Sequence, residues 1–253
     1  MERNYTIPSL KRGIRIVEAI LGSENGLSAL ELEGKLRIPK TTIFRILYTL
    51  QGESWVEKNG ERYTAGRRLI QTGLKALSGM ELRRISAPFL SRLSETTGET
   101  AQLGIWAGKQ AMVAEVCDGP KHIRISCRAG TLVPCHCSSL GKALLAGVVG
   151  ASNLEAFFKD MVLERRTKNT ITDLDRLAVE LEKINRLGYA VDDCEYYNDV
   201  RCVAAPVRNS FNSVVAAVGV TATILTLAES MIPGVADTVV RTARYISLAL
   251  GAS

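Results

Sequence analysis

Ser28–Gln51 reads S-A-L-E-L-E-G-K-L-R-I-P-K-T-T-I-F-R-I-L-Y-T-L-Q, and this stretch decides the fold of the first quarter of the chain. Ser28 followed by Glu31 has the spacing of a capping box, in which the hydroxyl and the carboxylate each accept an amide at the start of a helix. Leu32 and Leu36 then fall on one face of a short helix. Pro39 cannot continue that helix but is well suited to begin another. A second helix is therefore expected over Pro39–Gln51, with Ile43, Ile46, Leu47 and Leu50 as its apolar face. Two helices separated by R-I-P-K form a helix-turn-helix.

The flanks extend this unit. Upstream, Ile14, Val17 and Leu21 recur at helical spacing between a possible Ser9 cap and Gly22, which predicts a helix over Leu10–Leu21. Downstream, W-V-E-K-N-G-E-R-Y-T places Asn59-Gly60 between two short runs, the mark of a tight hairpin. Three helices and a hairpin make a winged helix-turn-helix. Ala65–Met80, bearing Leu69, Leu74 and Leu77, reads as a helix leading away from the wing and is expected to be a linker.

Charge supports a polyanion partner for this part alone. Residues 1–75 hold 13 Lys or Arg against 8 Asp or Glu, whereas the remaining residues hold 19 against 18. A basic module joined to a nearly neutral one fits double-stranded DNA. In a helix-turn-helix the second helix puts its amino-terminal residues against base edges. Those residues are Lys40, Thr41, Thr42 and Arg45, with Phe44 and Tyr48 nearby. Arg45 suits bidentate pairing with a guanine and Lys40 suits a phosphate. Lys58 and Arg62, beside the hairpin tip, are placed to grip the backbone or the minor groove.

The rest of the chain has a different rhythm. Strands are expected at Thr100–Trp106, Ala111–Cys117, His122–Arg128, Tyr189–Cys194, Arg201–Arg208 and Val214–Thr221. Helices are expected at Ser86–Thr97, with Pro88 in its first turn, and at Ser139–Ala146, Asn153–Met161, Asp173–Leu187 and Gly234–Leu250. Two sets of three strands with helices around them indicate an α+β domain on a largely antiparallel six-stranded sheet. The expected boundaries are 1–65 for the winged helix, 66–85 for the linker and 86–253 for the third part.

Several functions are disfavoured. The start, M-E-R-N-Y-T-I-P, lacks the apolar run of a secretory signal, and Val214–Ala228 falls short of a bilayer span. A cytoplasmic protein with reduced thiols and no membrane partner is expected. Gly141-Lys142 lacks the glycines of a phosphate loop, and the two histidines, His122 and His136, leave few general bases. No enzyme activity and no cofactor are expected. Cys135-His136-Cys137 is a tight cluster of zinc-type ligands without a matching second pair, a weak metal signal. A loop entering a helix at Ser139 leaves backbone amides near Ser138–Gly141 free to cradle a carboxylate or carbonyl. Asp192 and Cys202, ten positions apart on consecutive strand patterns, form a second candidate. A carboxylate in an apolar strand needs a partner if it is buried.

L-K-R-G-I-R-I-V-E-A-I, followed by G-L-S-A-L-E-L-E-G-K-L-R-I-P-K-T-T-I-F-R-I-L-Y-T-L, resembles the DNA-binding domain of the IclR family of bacterial transcriptional regulators. H-C-S-S-L-G-K-A-L-L-A, N-T-I-T-D, R-L-G-Y-A-V-D-D and V-R-C-V-A-A-P-V are similar to that family's effector-domain motifs, in the same order. The resemblance implies a winged helix, a linker helix and a GAF-like ligand domain, assembled as homodimers or dimers of dimers. It implies that Ser139, Leu140, Asp192 and Cys202 line an effector pocket. One strand on, the family often carries a hydroxyl where this chain has Gly219; Thr221 substitutes only if it faces the same way. Arg37 stands in place of the usual turn glycine. The function implied is a ligand-responsive regulator of a catabolic operon, expected to be a repressor, sensing a carboxylate, lactone or aldehyde. The competing reading is a sensor or scaffold whose winged helix binds protein.

Overall fold

The computed structural model describes residues 5–78, 81–122 and 124–252, and the chain divides into two compact units after residue 80. The first unit runs α1 (Pro8–Leu21), β1 (Leu27–Ser28), α2 (Ala29–Leu36), α3 (Lys40–Gly52), β2 (Val56–Asn59), β3 (Arg62–Ala65) and α4 (Arg67–Ser78). The capping box at Ser28 forms as expected: Ser28 Oγ accepts the Glu31 amide at 3.2 Å and Glu31 Oε2 accepts the Ser28 amide at 2.7 Å. Arg37 caps α2 in the left-handed conformation, at φ 54 and ψ 41. The turn thus keeps glycine-like geometry with a Cβ in place, a strained arrangement for most residues. The wing loop is Gly60-Glu61, one residue later than expected, with Gly60 at φ 60. β1, a two-residue strand without a periodic signal of its own, pairs with β3 to complete a three-stranded sheet.

Two details of α1 differ from expectation. It starts at Pro8 with Ile7 as cap residue and no side-chain cap, so Ser9 is already helical. The residues buried in the core are Ile16, Ala19 and Ile20, packed with Leu32, Ile38, Ile43, Leu47, Val56 and Tyr63. The expected stripe turns outward instead: Ile14 is 52% and Leu21 55% exposed. Both sides of this helix are apolar, and spacing alone does not say which one meets the core.

The second unit runs α5 (Glu81–Thr97), β4 (Thr100–Ala107), β5 (Gln110–Cys117), β6 (Leu132–Pro134), α6 (Ser139–Val148), α7 (Leu154–Phe158), α8 (Leu174–Leu187), β7 (Ala190–Asp193), β8 (Val200–Arg208), β9 (Val214–Thr223) and α9 (Ile232–Ala249). The six strands form one antiparallel sheet in the order β6-β5-β4-β9-β8-β7. Alternation along the strands separates two cores. Val203, Ala205 and Val207 of β8, with Val218 and Val220 of β9, meet Leu90 and Leu93 of α5 and Val239, Ala243 and Ile246 of α9. On the opposite face Ala204 and Ala217 meet Leu144 and Leu145 of α6 and Leu177 and Leu181 of α8.

Across the linker expected at 66–85, the described residues are helical on both sides, as α4 up to Ser78 and α5 from Glu81. Leu82 packs against the α5/α9 core, which carries α5 back to Glu81 and leaves Pro88 in its interior rather than its first turn. The strand expected over His122–Arg128 does not form among its described residues. Side chains hold this segment instead: Thr100 Oγ1 donates to the Ile125 carbonyl at 2.9 Å, and Gln102 Nε2 donates to Cys127 Sγ at 3.0 Å. The edge of β5 is taken by β6, through Gln110–Met112. The helix expected at Asn153–Met161 is a short 3-10 turn over Ala151–Asn153 followed by α7. Ile123 and the side chains of Leu74 and Leu77 lie outside the described residues.

Candidate functional site

The first unit presents Lys40, Thr41 and Arg45 of α3 to solvent, with Thr42 partly covered. Ile43 and Leu47 are fully buried beneath them, so the outward stripe stands on a packed base. Phe44 and Tyr48 share that face, Tyr48 being 82% exposed, and Lys40 Nζ lies 5.9 Å from the centre of the Phe44 ring. On the wing, Lys58 is exposed, with Nζ 5.9 Å from the Tyr63 ring centre. Arg62 is engaged within the fold. Its guanidinium donates to the Gly26 carbonyl at 2.7 Å and pairs with Glu31 Oε1 at 2.8 Å. The hydrogen bonds from Ser28, and then the Arg62 charge, hold the Glu31 carboxyl below its ordinary value.

In the second unit, the sheet face opposite α5 and α9 carries a row of side chains set by register. Asp192 lies opposite Cys202, Cys202 opposite Thr221, and Thr221 opposite Thr100; in the next row Ala204 lies opposite Gly219 and Gly219 opposite Gln102. Thr221 therefore faces the same way as Gly219, and its Oγ1 is 3.0 Å from Cys202 Sγ. A Cβ at Gly219 would meet the Val203 carbonyl oxygen at 2.3 Å. This backbone excludes any side chain there, so a hydroxyl on this strand has to come from Thr221.

The start of α6 closes over this row. Ser138 caps the helix, its Oγ accepting the Gly141 amide at 3.1 Å and donating to the Pro134 carbonyl at 2.6 Å. A Cβ at Gly104 would lie 3.2 Å from Leu140 Cβ, which shows how closely α6 rests on β4. Between them is a cavity of about 270 Å³. All six residues singled out in this domain, Ser139, Leu140, Asp192, Cys202, Gly219 and Thr221, line it together. It is also lined by Gln102, Cys127, Arg128, Tyr196 and Tyr197, which the sequence reading did not single out. Cys127 and Arg128 sit in the segment whose alternation suggested a strand that does not form, and the paired tyrosines sit in the β7–β8 loop, which carries no periodic signal.

Electrostatically the cavity rests on a buried charge network. Asp192 is 1% exposed, and its Oδ1 accepts the amides of Glu195 at 2.8 Å and Tyr196 at 3.3 Å. Burial, with the nearby Glu195 charge, pushes its carboxyl up to about 7 despite those amides and Lys142. Lys142 has no exposed surface and bridges Glu195 at 2.5 Å and Glu180 at 3.2 Å. Burial acts to lower its pKa, but the two carboxylates overcome that and hold it above the ordinary value. Burial, next the Asp192 charge, drives the Cys202 thiol well above its usual value. Burial also raises Cys135 and Cys137 to about 12. His136 Nε2 lies 3.1 Å from the Glu164 carbonyl, and among the described residues no three His, Cys, Asp or Glu side chains converge to hold a metal.

A winged helix with an exposed basic recognition face and a separate α+β unit around a polar-lined cavity define a ligand-responsive DNA-binding regulator. The comparisons with known proteins agree. Residues 9–60 match the IclR helix-turn-helix domain, and residues 74–248 match the carboxy-terminal domain of bacterial transcriptional regulator IclR. The chain is 33% identical to the HTH-type transcriptional regulator RhmR of Escherichia coli over 252 residues, 99% of this chain and 96% of that one. It is 29% identical to the HTH-type transcriptional repressor AllR of E. coli, covering 96% of this chain and 90% of AllR. The crystal structure of an IclR homologue from Microbacterium hydrocarbonoxydans complexed with 4-hydroxybenzoate shares the fold at a TM-score of 0.84, with 21% identity over 97% of this chain and 100% of that one. The chain belongs to the IclR family of bacterial transcriptional regulators. No described helix is long and apolar enough to cross a membrane.

Proposed function

We propose that this chain is a cytoplasmic homodimeric repressor of a catabolic operon, released from its operator by a small organic acid. The repressing sense follows the likeness to AllR, and the acid follows both the cavity and the 4-hydroxybenzoate bound by the Microbacterium homologue. The observation that carries the reading is the convergence of Ser139, Leu140, Asp192, Cys202 and Thr221 on one cavity. At the first turn of α6 the amides of Ser139 and Leu140 are beyond the reach of intrahelical acceptors, and they favour a carboxylate. Across the cavity Asp192 accepts a ligand hydroxyl when ionised and donates to an oxygen when protonated. Arg128 supplies a countercharge. A bound acid that prefers one arrangement of the assembly shifts its affinity for DNA. The cavity serves binding, and no catalytic step is assigned to it.

On DNA, Thr41, Thr42 and Arg45 read base edges while Lys40 and Lys58 hold phosphates. Arg62 contributes chiefly by fixing the wing to α2, because its guanidinium is committed to Gly26 and Glu31. A gel-shift titration on the upstream region of the chain's own gene tests the whole reading. Specific retardation that steepens as salt falls, and that a small acid abolishes in the native chain but not in an Asp192→Ala variant, is expected. Retardation equal to that of random duplex rejects it.

A further inference from the structure

The sheet face away from the cavity carries a second concave place, between α5 and α9. α5 turns Phe89, Arg92, Leu93 and Thr96 to it, and α9 turns Thr238, Arg241, Thr242 and Tyr245. Both sets have the three- and four-residue spacing that lines up one side of a helix. The groove between them measures about 270 Å³. Its floor is closed by Leu93, which is 1% exposed, and by the buried Thr242. At one end the rings of Phe89 and Tyr245 stack, with centres 6.4 Å apart and planes 16° from parallel. Each helix contributes one exposed arginine, Arg92 from α5 and Arg241 from α9.

Elsewhere in the second unit Arg83, Arg124, Arg166 and Arg201 each pair with a carboxylate. Among the described residues, Arg92 and Arg241 form no such pair, although Glu95 and Asp237 lie one turn away on the same helices. Glu95 accepts the Ser91 hydroxyl at 3.1 Å, and Arg241 donates to the Thr238 hydroxyl at 3.4 Å. The threonines have no proton left for an anion. Thr96 and Thr242 donate to the carbonyls of Arg92 and Thr238 at 2.7 and 2.8 Å, and Thr238 to that of Gly234 at 3.2 Å. Any acid group in the groove therefore falls to the two guanidinium groups, whose planar forks match a carboxylate in bidentate fashion. Two like charges beside one apolar floor repel, and an anion between them offsets that repulsion.

We propose that this groove binds a small dianion with a flat apolar body. One acid group meets each arginine, and the body lies over Leu93 beside the Phe89–Tyr245 stack. The site shares no residue with the effector cavity and rests on neither the operator nor the effector reading. Its occupant ties α5 to α9, the first and last helices of the second unit.

The test is calorimetric titration of the full chain at low salt with terephthalate, which has an acid group at each end of one ring, and with benzoate, which has one. Terephthalate is expected to bind tighter by roughly tenfold or more, the size of one charge-assisted pair. Arg92→Gln and Arg241→Gln keep the side-chain stems over the floor and remove the charge. Each is expected to weaken terephthalate by a similar factor, and the two together to abolish its binding, with the melting curve of the native chain retained. Asp192→Ala, in the effector cavity, is expected to leave terephthalate binding unchanged. Equal affinity of the native chain for the two acids overturns the proposal without recourse to any variant. No binding of terephthalate overturns it too, as does binding that survives the double arginine variant. Loss of binding through Asp192→Ala places the acid in the effector cavity, which overturns this site and leaves the effector reading standing.

Discussion

Asp192 offers the sharpest energetic test, because its carboxyl is buried and yet bonded to two amides. Its pKa rises from 3.8 to about 7 on folding. Between those values the folded chain holds a proton that the unfolded chain has released, so stability falls as pH rises; above about 7 the penalty is constant. A shift of this size corresponds to about 4 kcal/mol in full, of which about 2.5 kcal/mol is lost between pH 5 and pH 8. Asp192→Asn keeps an acceptor for the Glu195 and Tyr196 amides and removes the charge. Urea unfolding is expected to show the native second unit weakening from pH 5 to pH 8 while the variant holds nearly level. The two tryptophans make the measurement clean: Trp55 lies in the first unit and Trp106 in the second, so Trp55→Phe leaves a reporter for the effector unit alone. Parallel pH profiles for the two proteins would refute the reasoning. They would mean that Lys142 compensates the carboxylate fully.

Replacing Lys142 by Met strands Glu195 in the interior, and a cost of about 3–5 kcal/mol is expected in thermal or denaturant unfolding of the second unit. Gly219→Ser drives an atom into the Val203 carbonyl; rather than adding a useful hydroxyl it should destabilise by about 1–3 kcal/mol, read by the same melts. Arg45→Ala should remove operator preference in a gel shift and leave the melting curve of the first unit within about 0.5 kcal/mol of native. Arg37→Gly relieves a left-handed residue and is expected to stabilise the first unit by about 1 kcal/mol. An unchanged denaturation midpoint would show that the strain is absorbed elsewhere.

Much of this architecture is legible in the sequence because it is built from local signals. The capping box at Ser28 and Glu31 and the hairpin around Gly60 are side-chain or backbone devices acting over a few residues. What escaped depends on contacts between distant segments. The alternation of His122–Arg128 suits a strand, but β5 has already paired with β6, and Thr100 and Gln102 tie the segment down as irregular chain. Pro88 resembles a helix starter until Leu82 finds a core to pack against. The cavity shows the same division. Asp192, Cys202 and Thr221 are brought into one row by strand register, and the resemblance to related motifs indicates them. Arg128 and the Tyr196-Tyr197 pair reach the cavity from loops, where spacing carries no information. The inner and outer sides of α1 are the clearest case, since two apolar stripes on one helix give the same periodicity.

The wing is closed against side chains at both of its ends. A Cβ at Gly26 would strike the Tyr63 carbonyl oxygen at 2.3 Å, and one at Gly66 the Ser54 carbonyl oxygen at 2.3 Å, whereas one at Gly60 would meet nothing within 4 Å. Sequence drift is thereby channelled to the hairpin's far end, between Lys58 and Glu61. A lineage acquiring a new promoter target can rewrite that tip and the solvent side of α3 without disturbing the two anchors that fix how deep the hairpin sits.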